Sequence, residues 1–224
     1  MSLFERLKAA APAEWRSYVD HAFVRGMGDG TLPEAAFRTY LVQDYLFLIQ
    51  FARANALAAY KSRTLADLRA AKDGLSAIVD VELDLHVRLC ERWGLSPADI
   101  EAAPEHQATV AYTRFVLDCG MSGDLLDLHV ALAPCVLGYA EIGRALAPDG
   151  VDALDGHPYR EWIGEYAGDA YQAVAANASR HLDDLGARYL GPGRFDELAA
   201  LFGKASRLEA DFWQMGLDAA GARR

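Results

Sequence analysis

The sequence is poor in the residues that build β-sheets. Val, Ile and Thr together number 22 among 224 residues, whereas Ala and Leu together number 70. Ala and Leu are favourable helix formers, while β-branched residues favour strands. The composition therefore predicts an all-α fold.

Basic residues are also in short supply. Lys and Arg number 22 against 32 Asp and Glu, which gives a formal net charge of −10, and the sequence pI is near 5.0. A nucleic-acid-binding surface would need a basic face, and no run of Lys and Arg provides one. We therefore expect no nucleic-acid partner.

Cysteine is too rare to form a disulfide framework. The three cysteines, Cys90, Cys119 and Cys135, are odd in number and have no CxxC spacing, which also excludes a zinc ribbon and suits a reducing cytosol. Residues 1–11 lack the apolar core of a signal peptide. No apolar run approaches the length of a membrane span. The sequence thus predicts a cytoplasmic protein without membrane association.

Helical periodicity runs along nearly the whole chain and is interrupted by Gly and Pro. The helices are predicted at about residues 3–25, 31–60, 65–93 with a possible break at 72–74, 104–120, 122–146, 159–166, 169–188 and 194–220. No connection between them is long enough for an interdomain linker, and 52% of the residues are hydrophobic. We therefore predict a single helical domain over residues 1–224.

Two carboxylates lie on the apolar stripes of predicted helices. Asp44 shares a stripe with Phe37, Leu41 and Phe47, and Glu209 lies on the stripe of the last helix. A carboxylate buried in this way must be paired or must serve a site, because burying it unpaired is costly. The two acids are therefore either structural or an acid–base pair in a helical bundle.

Cys135 follows a proline in the interior of a predicted helix. Pro134 removes one backbone hydrogen bond and should bend the helix, and Tyr139 lies one turn later on the same face. This context distinguishes Cys135 from Cys90 and Cys119, which we interpret as packing residues.

Other polar and aromatic residues permit a ligand site but also a plain core. Glu82 and His86 have i, i+4 spacing and could ligate a metal, but a Glu–His hydrogen bond is favoured, because the later chain offers few further ligands. We therefore predict no metal site. Tyr112, Tyr166 and Trp213 could stack on a flat ligand or could simply be core residues.

Five separated segments resemble the TenA (thiaminase II) family. They are HAFV at 21–24, GDGTLP at 28–33, YLVQDY at 40–45, APCVLGY at 133–139 and EADFWQM at 209–215. The resemblance implies a haem-oxygenase-like helical fold that assembles as a homotetramer. It also implies a cofactor-free hydrolase of thiamin salvage, which converts aminopyrimidines to hydroxymethylpyrimidine and can cleave thiamin itself.

The resemblance assigns roles to individual residues of this chain. Cys135 corresponds to the nucleophile, Asp44 to the group that binds the ring nitrogen and exocyclic amine, and Glu209 to the proton donor and acceptor. The substrate-contacting positions are Asp44, Phe47, Tyr112, Tyr139 and Tyr166. Many family members carry Tyr at position 47, so Phe47 predicts a slower enzyme with intact binding. The stretch 151–156, which precedes Tyr166, is a few residues longer than is usual in the family, so Tyr166 is assigned from its local pattern WIGEY at 162–166.

Two alternatives remain open at this point. One is a di-iron oxidase on the same fold that uses Glu82 and His86. The other is a pyrimidine-binding or regulatory protein without catalysis, for which the thiol of Cys135 would have no purpose.

Overall fold

The computed structural model is built from α-helices joined by short connections. It describes residues 1–221, apart from the side chains at positions 81 and 85. Helix accounts for 83% of the described residues, and residues 1–221 contain no β-strand. The prediction of an all-α fold is confirmed.

Thirteen α-helices occur within residues 1–221. They are α1 Leu3–Ala10, α2 Pro12–Val19, α3 Ala22–Gly28, α4 Glu34–Lys61, α5 Leu65–Ala77, α6 Leu83–Arg92, α7 Pro97–Ala102, α8 Gln107–Ser122, α9 Leu125–Ala133, α10 Tyr139–Leu146, α11 Arg160–Ala167, α12 Asp169–Tyr189 and α13 Phe195–Gly221. A π-helical turn, Ile78–Glu82, joins α5 to α6, and a second, Pro134–Gly138, joins α9 to α10; a 3₁₀ turn covers Val151–Leu154.

The helices group into two compact units. The first unit comprises Met1–Leu32 and His129–Trp213. Its core is aromatic: the Trp15 ring stacks on Phe202 with centroids 5.4 Å apart, and Phe23 stacks on Trp213 at 4.9 Å. Phe4 meets Trp15 edge-on at 5.4 Å. The single domain over residues 1–224 remains a prediction.

The second unit comprises Pro33–Leu128 and the stretch that begins at Gln214. Long α4 runs through it and buries residues three or four positions apart, as an amphipathic helix does. Leu48 and Ala52 of α4 pack against Ile78. The Gln43 side chain joins α4 to the start of α8, because its amide nitrogen donates to Pro104 O at 3.0 Å and its amide oxygen accepts from His106 N at 2.8 Å.

Several predicted helix limits were wrong. The predicted first helix is three helices, because Ala11 and Asp20 leave helical geometry. The helix predicted to begin at residue 31 begins at Glu34, with Pro33 at its N-cap position, and the Thr31 hydroxyl donates to Asp29 Oδ1 at 2.6 Å. Short α7 was not predicted, although Ser96 and Asp99 form a capping box at its start.

The two π-helical turns depart from the prediction in different ways. Pro134 was expected to bend its helix, and the structure accommodates it in a π turn, a common form of local widening. The possible break at residues 72–74 does not occur, because α5 continues to Ala77. The chain widens instead at Ile78–Glu82, where no proline marks the position.

One helical stretch within residues 1–221 has the length and apolar composition of a membrane span, although the sequence analysis expected none. It is Leu125–Leu146, with a mean hydropathy of 1.5 in its most apolar window. Of that window, 72% is buried inside the protein. The core helix of a water-soluble protein has the same properties, so this stretch is weak evidence for a membrane span.

Candidate active site

The predicted site residues fall into two sets, one in each unit. Cys135, Tyr139, Tyr166 and Glu209 belong to the first unit, and Asp44, Phe47 and Tyr112 belong to the second. Cys135 is partly exposed. The six others are buried, with exposures between 1% and 7%.

Cys135 lies in the π turn, and the carbonyl groups on either side of it accept hydrogen bonds from tyrosines. The Tyr18 hydroxyl donates to Pro134 O at 3.2 Å, and the Tyr171 hydroxyl donates to Val136 O at 3.3 Å. A π turn departs from the regular helical ladder, so these side chains supply partners for its backbone. The two tyrosines therefore fix the segment that carries the thiol.

Gly138 permits the close approach of Tyr18 to the π turn. A Cβ atom at position 138 would overlap the Tyr18 ring and lie 2.7 Å from its hydroxyl oxygen. Tyr18 is fully buried and stands edge-on to Trp15 at 5.6 Å, so its ring has little room to move. Glycine at position 138 is thus a condition for the hydrogen bond to Pro134.

Tyr139 and Tyr166 come together in an aromatic cluster. Their ring centroids are 4.9 Å apart, and the Trp162 ring lies 4.5 Å from Tyr166. Trp213 lies 5.4 Å from Tyr139. The sequence predicted Tyr139 and Tyr166 as contacts of one substrate, and the structure places them side by side.

Gly143 allows α11 to reach α10, which positions Tyr166. A Cβ atom at Gly143 would lie 2.5 Å from the backbone carbon of Tyr166. The Gln172 amide nitrogen completes this junction, because it donates to Ala140 O at 2.9 Å and to Tyr166 O at 2.6 Å.

Glu209 lies on the inward face of α13, as its position on the apolar stripe predicted. Its exposure is 2%, and neighbouring Ser206 is fully buried. The Ser206 hydroxyl donates to Phe202 O at 2.9 Å within the same helix. A carboxyl group in such surroundings can hold or release a proton away from bulk water.

The Asp44 carboxyl group contacts a tyrosine hydroxyl and a histidine ring nitrogen. The Tyr40 hydroxyl donates to Asp44 Oδ2 at 2.9 Å, and His86 Nδ1 lies 3.6 Å from the same oxygen. Burial raises the pKa of Asp44 above its usual value, while the charge of His86 and the Tyr40 hydrogen bond act in the opposite direction. Both polar contacts therefore fall on Oδ2, and Oδ1 is the oxygen that can serve a ligand.

His86 bonds differently from what the sequence predicted. We expected a hydrogen bond with Glu82, but His86 Nε2 lies 2.7 Å from Leu41 O and Nδ1 faces Asp44. No group of three or more His, Cys, Asp and Glu side chains that could hold a metal ion occurs among the described residues. The di-iron alternative therefore has no ligand set in this part of the chain.

Phe47 and Tyr112 form the aromatic part of the second set. Their ring centroids are 5.2 Å apart, and the Phe51 ring lies 5.9 Å from Phe47. Phe47 is 5% exposed and Tyr112 is 1% exposed. The phenyl ring at position 47 is thus buried in contact with two other aromatic rings.

The other cysteines differ from Cys135 in their surroundings. Cys90 is fully buried, and burial together with the nearby Asp44 charge raises its pKa to about 12. Cys119 is 8% exposed. The Cys90 thiol therefore remains protonated and is a poor nucleophile, which agrees with the prediction that Cys90 is a packing residue.

Sequence reasoning missed three supporting tyrosines. Tyr40 stands at i−4 to Asp44, a spacing that brings side chains together on a helix, so this signal was available. Tyr18 and Tyr171 are 116 and 35 residues from their acceptors, and no local pattern indicated them.

Comparison with known proteins agrees with this architecture. A protein of Halalkalibacterium halodurans named aminopyrimidine aminohydrolase is 37% identical over 96% of this chain and 95% of its own length. A solved structure described as a TenA family transcription regulator from Silicibacter sp. TM1040 is 46% identical, covers 96% of both chains and has a TM-score of 0.89. The sequence profile of the TENA/THI-4/PQQC family matches residues 8–219.

The chain belongs to the TENA/THI-4/PQQC family.

Membership of the TENA/THI-4/PQQC family confirms the resemblance found in the sequence. A similar fold occurs in a protein with low sequence identity to this chain. This protein is a domain of unknown function from Shewanella denitrificans, described as having a heme oxygenase-like fold. It is 12% identical, covers 96% of this chain and 92% of its own, and has a TM-score of 0.74. That likeness concerns the fold alone, and it confirms the haem-oxygenase-like architecture.

Proposed function

We propose that this protein is a hydrolase of thiamin salvage, which converts aminopyrimidine products of thiamin degradation to hydroxymethylpyrimidine. The observation that carries the proposal is the partly exposed thiol of Cys135, which lies on a π turn. The chain is a family member and is 37% identical to a protein named aminopyrimidine aminohydrolase. The other two cysteines are buried, so Cys135 is the thiol that a substrate can reach.

The proposed reaction begins with attack of the Cys135 thiolate on the electron-poor pyrimidine ring. A covalent intermediate divides one difficult substitution into two easier steps. Asp44 binds the ring nitrogen and the exocyclic amine, and this interaction makes the ring a better electrophile. Its Oδ1 suits that role, because Tyr40 and His86 both contact Oδ2.

Glu209 is proposed as the group that handles protons. It donates one to the departing amine and accepts one from the incoming water, whose oxygen bonds to the carbon that the amine has left. The C–S bond to the ring then breaks and returns the Cys135 thiolate. Its exposure of 2% supports this role, because proton transfer in a site with little bulk water depends on a positioned side chain.

Aromatic side chains are proposed to bind the flat substrate ring. Tyr139 and Tyr166 pack together in the first unit, and Phe47 and Tyr112 pack together in the second. Aromatic faces bind heteroaromatic rings by stacking. We include thiamin among the proposed substrates, because its pyrimidine half presents the same ring.

The cytoplasmic location and the homotetramer also remain predictions, which cell fractionation and light scattering test.

The test is a chromatographic assay for hydroxymethylpyrimidine with aminomethyl-aminopyrimidine and thiamin as parallel substrates. We expect product from the wild type and a loss of about 10³-fold or more in Cys135→Ala. Cys119→Ala is the matched control and should keep its activity, because Cys119 is a buried packing residue. Cys135-independent product formation would contradict the nucleophile assignment.

A second candidate is a pyrimidine-binding regulatory protein. It is favoured by the description of one 46% identical relative as a TenA family transcription regulator. This candidate predicts that the protein binds the pyrimidine without turnover and that Cys135→Ala changes nothing. The same assay, combined with a binding measurement, separates the two functions.

A further inference from the structure

We propose that His86 is a positioning residue that acts as the counter-ion of Asp44, holding this buried carboxyl group ionised with Oδ1 available to the N–H groups of an aminopyrimidine. The inference deepens the proposed function and rests on it for the identity of the ligand. It assigns to His86 a role that differs from metal binding and from a bond with Glu82.

The two neighbours of the His86 ring fix where its hydrogens lie. Nε2 is 2.7 Å from Leu41 O, and a carbonyl oxygen only accepts, so Nε2 carries a hydrogen. Nδ1 then faces Asp44 Oδ2 at 3.6 Å. A neutral ring in this tautomer would direct the Nδ1 lone pair at a carboxylate oxygen. A second hydrogen on Nδ1 turns this repulsion into the attraction of an ion pair.

The hydrogen bond of Tyr40 supports the ionised state of Asp44. The Tyr40 hydroxyl donates to Asp44 Oδ2 at 2.9 Å, so Oδ2 receives one donor from the same helix and faces a ring nitrogen from another. Tyr40 is fully buried, and Asp44 and His86 are 4% and 7% exposed. Bulk water therefore contributes little here, and these side chains must compensate the charge.

Other titratable groups near the pair do not replace His86 as a cation. Cys90, on the same helix as His86, has a pKa raised to about 12 and stays a neutral thiol. Glu82, one turn before His86, is an acid. On α7, Glu101 bonds to the Tyr45 hydroxyl at 3.4 Å. Tyr40 supplies a hydrogen bond without a charge.

An ionised Asp44 carboxyl group matches the hydrogen-bond donors of an aminopyrimidine. The exocyclic amine and a protonated ring nitrogen of this ligand are both donors, and an ionised carboxyl group only accepts. A neutral Asp44 would carry a hydrogen of its own and would oppose one of these donors. His86 thus keeps Asp44 in the form that binds the ring and stabilises positive charge on it.

The test measures binding of hydroxymethylpyrimidine by calorimetry from acidic to alkaline pH in the Cys135→Ser background, where turnover does not interfere. With His86→Asn, burial is no longer opposed by a cation, so Asp44 should stay protonated to higher pH. We expect the acidic loss of affinity to move upward by about one pH unit or more. Below this range the affinity should fall about tenfold per pH unit, and it should recover at higher pH.

Tyr40→Phe is the matched control, because it removes the other contact of Oδ2 without removing a charge. Its pH profile should move in the same direction by less, since the His86 charge lowers the pKa of Asp44 more than the Tyr40 hydrogen bond does. The ligand's own titration is common to all variants. A uniform loss of affinity at every pH in His86→Asn would assign His86 a structural role and overturn the proposal.

A second measurement needs no variant and no ligand. The ¹⁵N resonances of the His86 ring in the wild type should show both nitrogens protonated at the pH where binding is tightest. A bare Nδ1 at that pH would overturn the proposal even if every variant failed to fold. Failure of the proposed function looks different: the ring would be doubly protonated, and hydroxymethylpyrimidine would not bind at any pH.

Discussion

The regions around Cys135 and Asp44 support their functional groups by different physical means. Around Cys135, tyrosine hydroxyls bond to backbone carbonyls, and glycine makes the necessary space. Around Asp44, the Tyr40 hydroxyl donates to the carboxyl group, and a ring nitrogen of His86 faces the same oxygen at 3.6 Å. The first region should therefore respond to changes in volume, and the second to changes in charge and pH.

Among the variants that keep the Cys135 thiol, the one that removes the charge of Asp44 should have the largest effect on activity. Asp44→Asn keeps the shape of the side chain but loses the anion that binds the ring, so kcat/KM should fall by about 100-fold. Stability should change little if His86 becomes neutral in the variant, because the unfavourable burial of a carboxylate is then removed together with the ion pair that it forms with His86. Steady-state kinetics and thermal melts check both parts. A fall in activity that merely follows unfolding would remove the contrast between the two regions.

Adding one methyl group at Gly138, the last residue of the π turn that contains Cys135, should lower stability and activity together. In Gly138→Ala the new Cβ overlaps the ring of fully buried Tyr18, which should lower the unfolding free energy by about 1–3 kcal/mol. Gly191→Ala is the matched control, because no atom lies within 4 Å of a Cβ there. Denaturant unfolding measures both variants, and equal stabilities would show that the turn does not depend on this close approach.

Restoring the hydroxyl at position 47 should raise the turnover rate by several-fold, as expected for assistance to the cysteine. The Phe47 ring contacts Phe51 and Tyr112. The hydroxyl added in Phe47→Tyr therefore enters a packed site, and it destabilises the protein unless it forms a hydrogen bond there. Phe51→Tyr adds a hydroxyl one turn away and should leave the rate unchanged. An unchanged or lower rate in Phe47→Tyr would remove the role assigned to this position.

The pH dependence of stability should show the smallest difference. The pKa of Asp44 is higher in the folded protein than in the unfolded chain, so the folded state binds the proton more tightly. The contribution of Asp44 to stability is therefore greatest at acidic pH and is lost as pH rises from about 3.9, the ordinary carboxyl value, through the raised pKa.

Thermal melts of the wild type and Asp44→Asn at successive pH values measure this contribution. The melting temperature of the variant should gain on that of the wild type as pH rises. Asp73→Asn is the control, since the Asp73 side chain is 70% exposed. A gap that stays constant or narrows with rising pH would contradict the direction of the shift.

The sequence indicated those parts of each region that depend on near neighbours. Pro134 marked the distortion beside Cys135, and the apolar stripe around Asp44 correctly predicted its burial. The hydrogen bond from Tyr18 to Pro134 spans 116 residues, and only tertiary packing creates such a contact. His86 was recognised as unusual but was paired with the wrong residue, because helical spacing favoured Glu82 over a residue of another helix.

The π turn at Ile78–Glu82 is a distortion that no local sequence pattern predicted. It contains no proline, and the glycine of the predicted break, Gly74, lies inside a continuous helix. A helix can widen to satisfy packing without any special residue at that position. Local patterns therefore predicted a distortion at Pro134, beside Cys135, and gave no sign of the π turn near His86.

Intact-mass and peptide mass spectrometry of a quenched reaction test the central claim most directly. In Glu209→Gln the proton transfers that release the intermediate should be slow, so an adduct of the pyrimidine should accumulate on the peptide that contains Cys135. The account predicts one adduct per chain, absent from the Cys135→Ser/Glu209→Gln double variant. Product release in a single turnover without a detectable adduct, or an adduct on another residue, would contradict it.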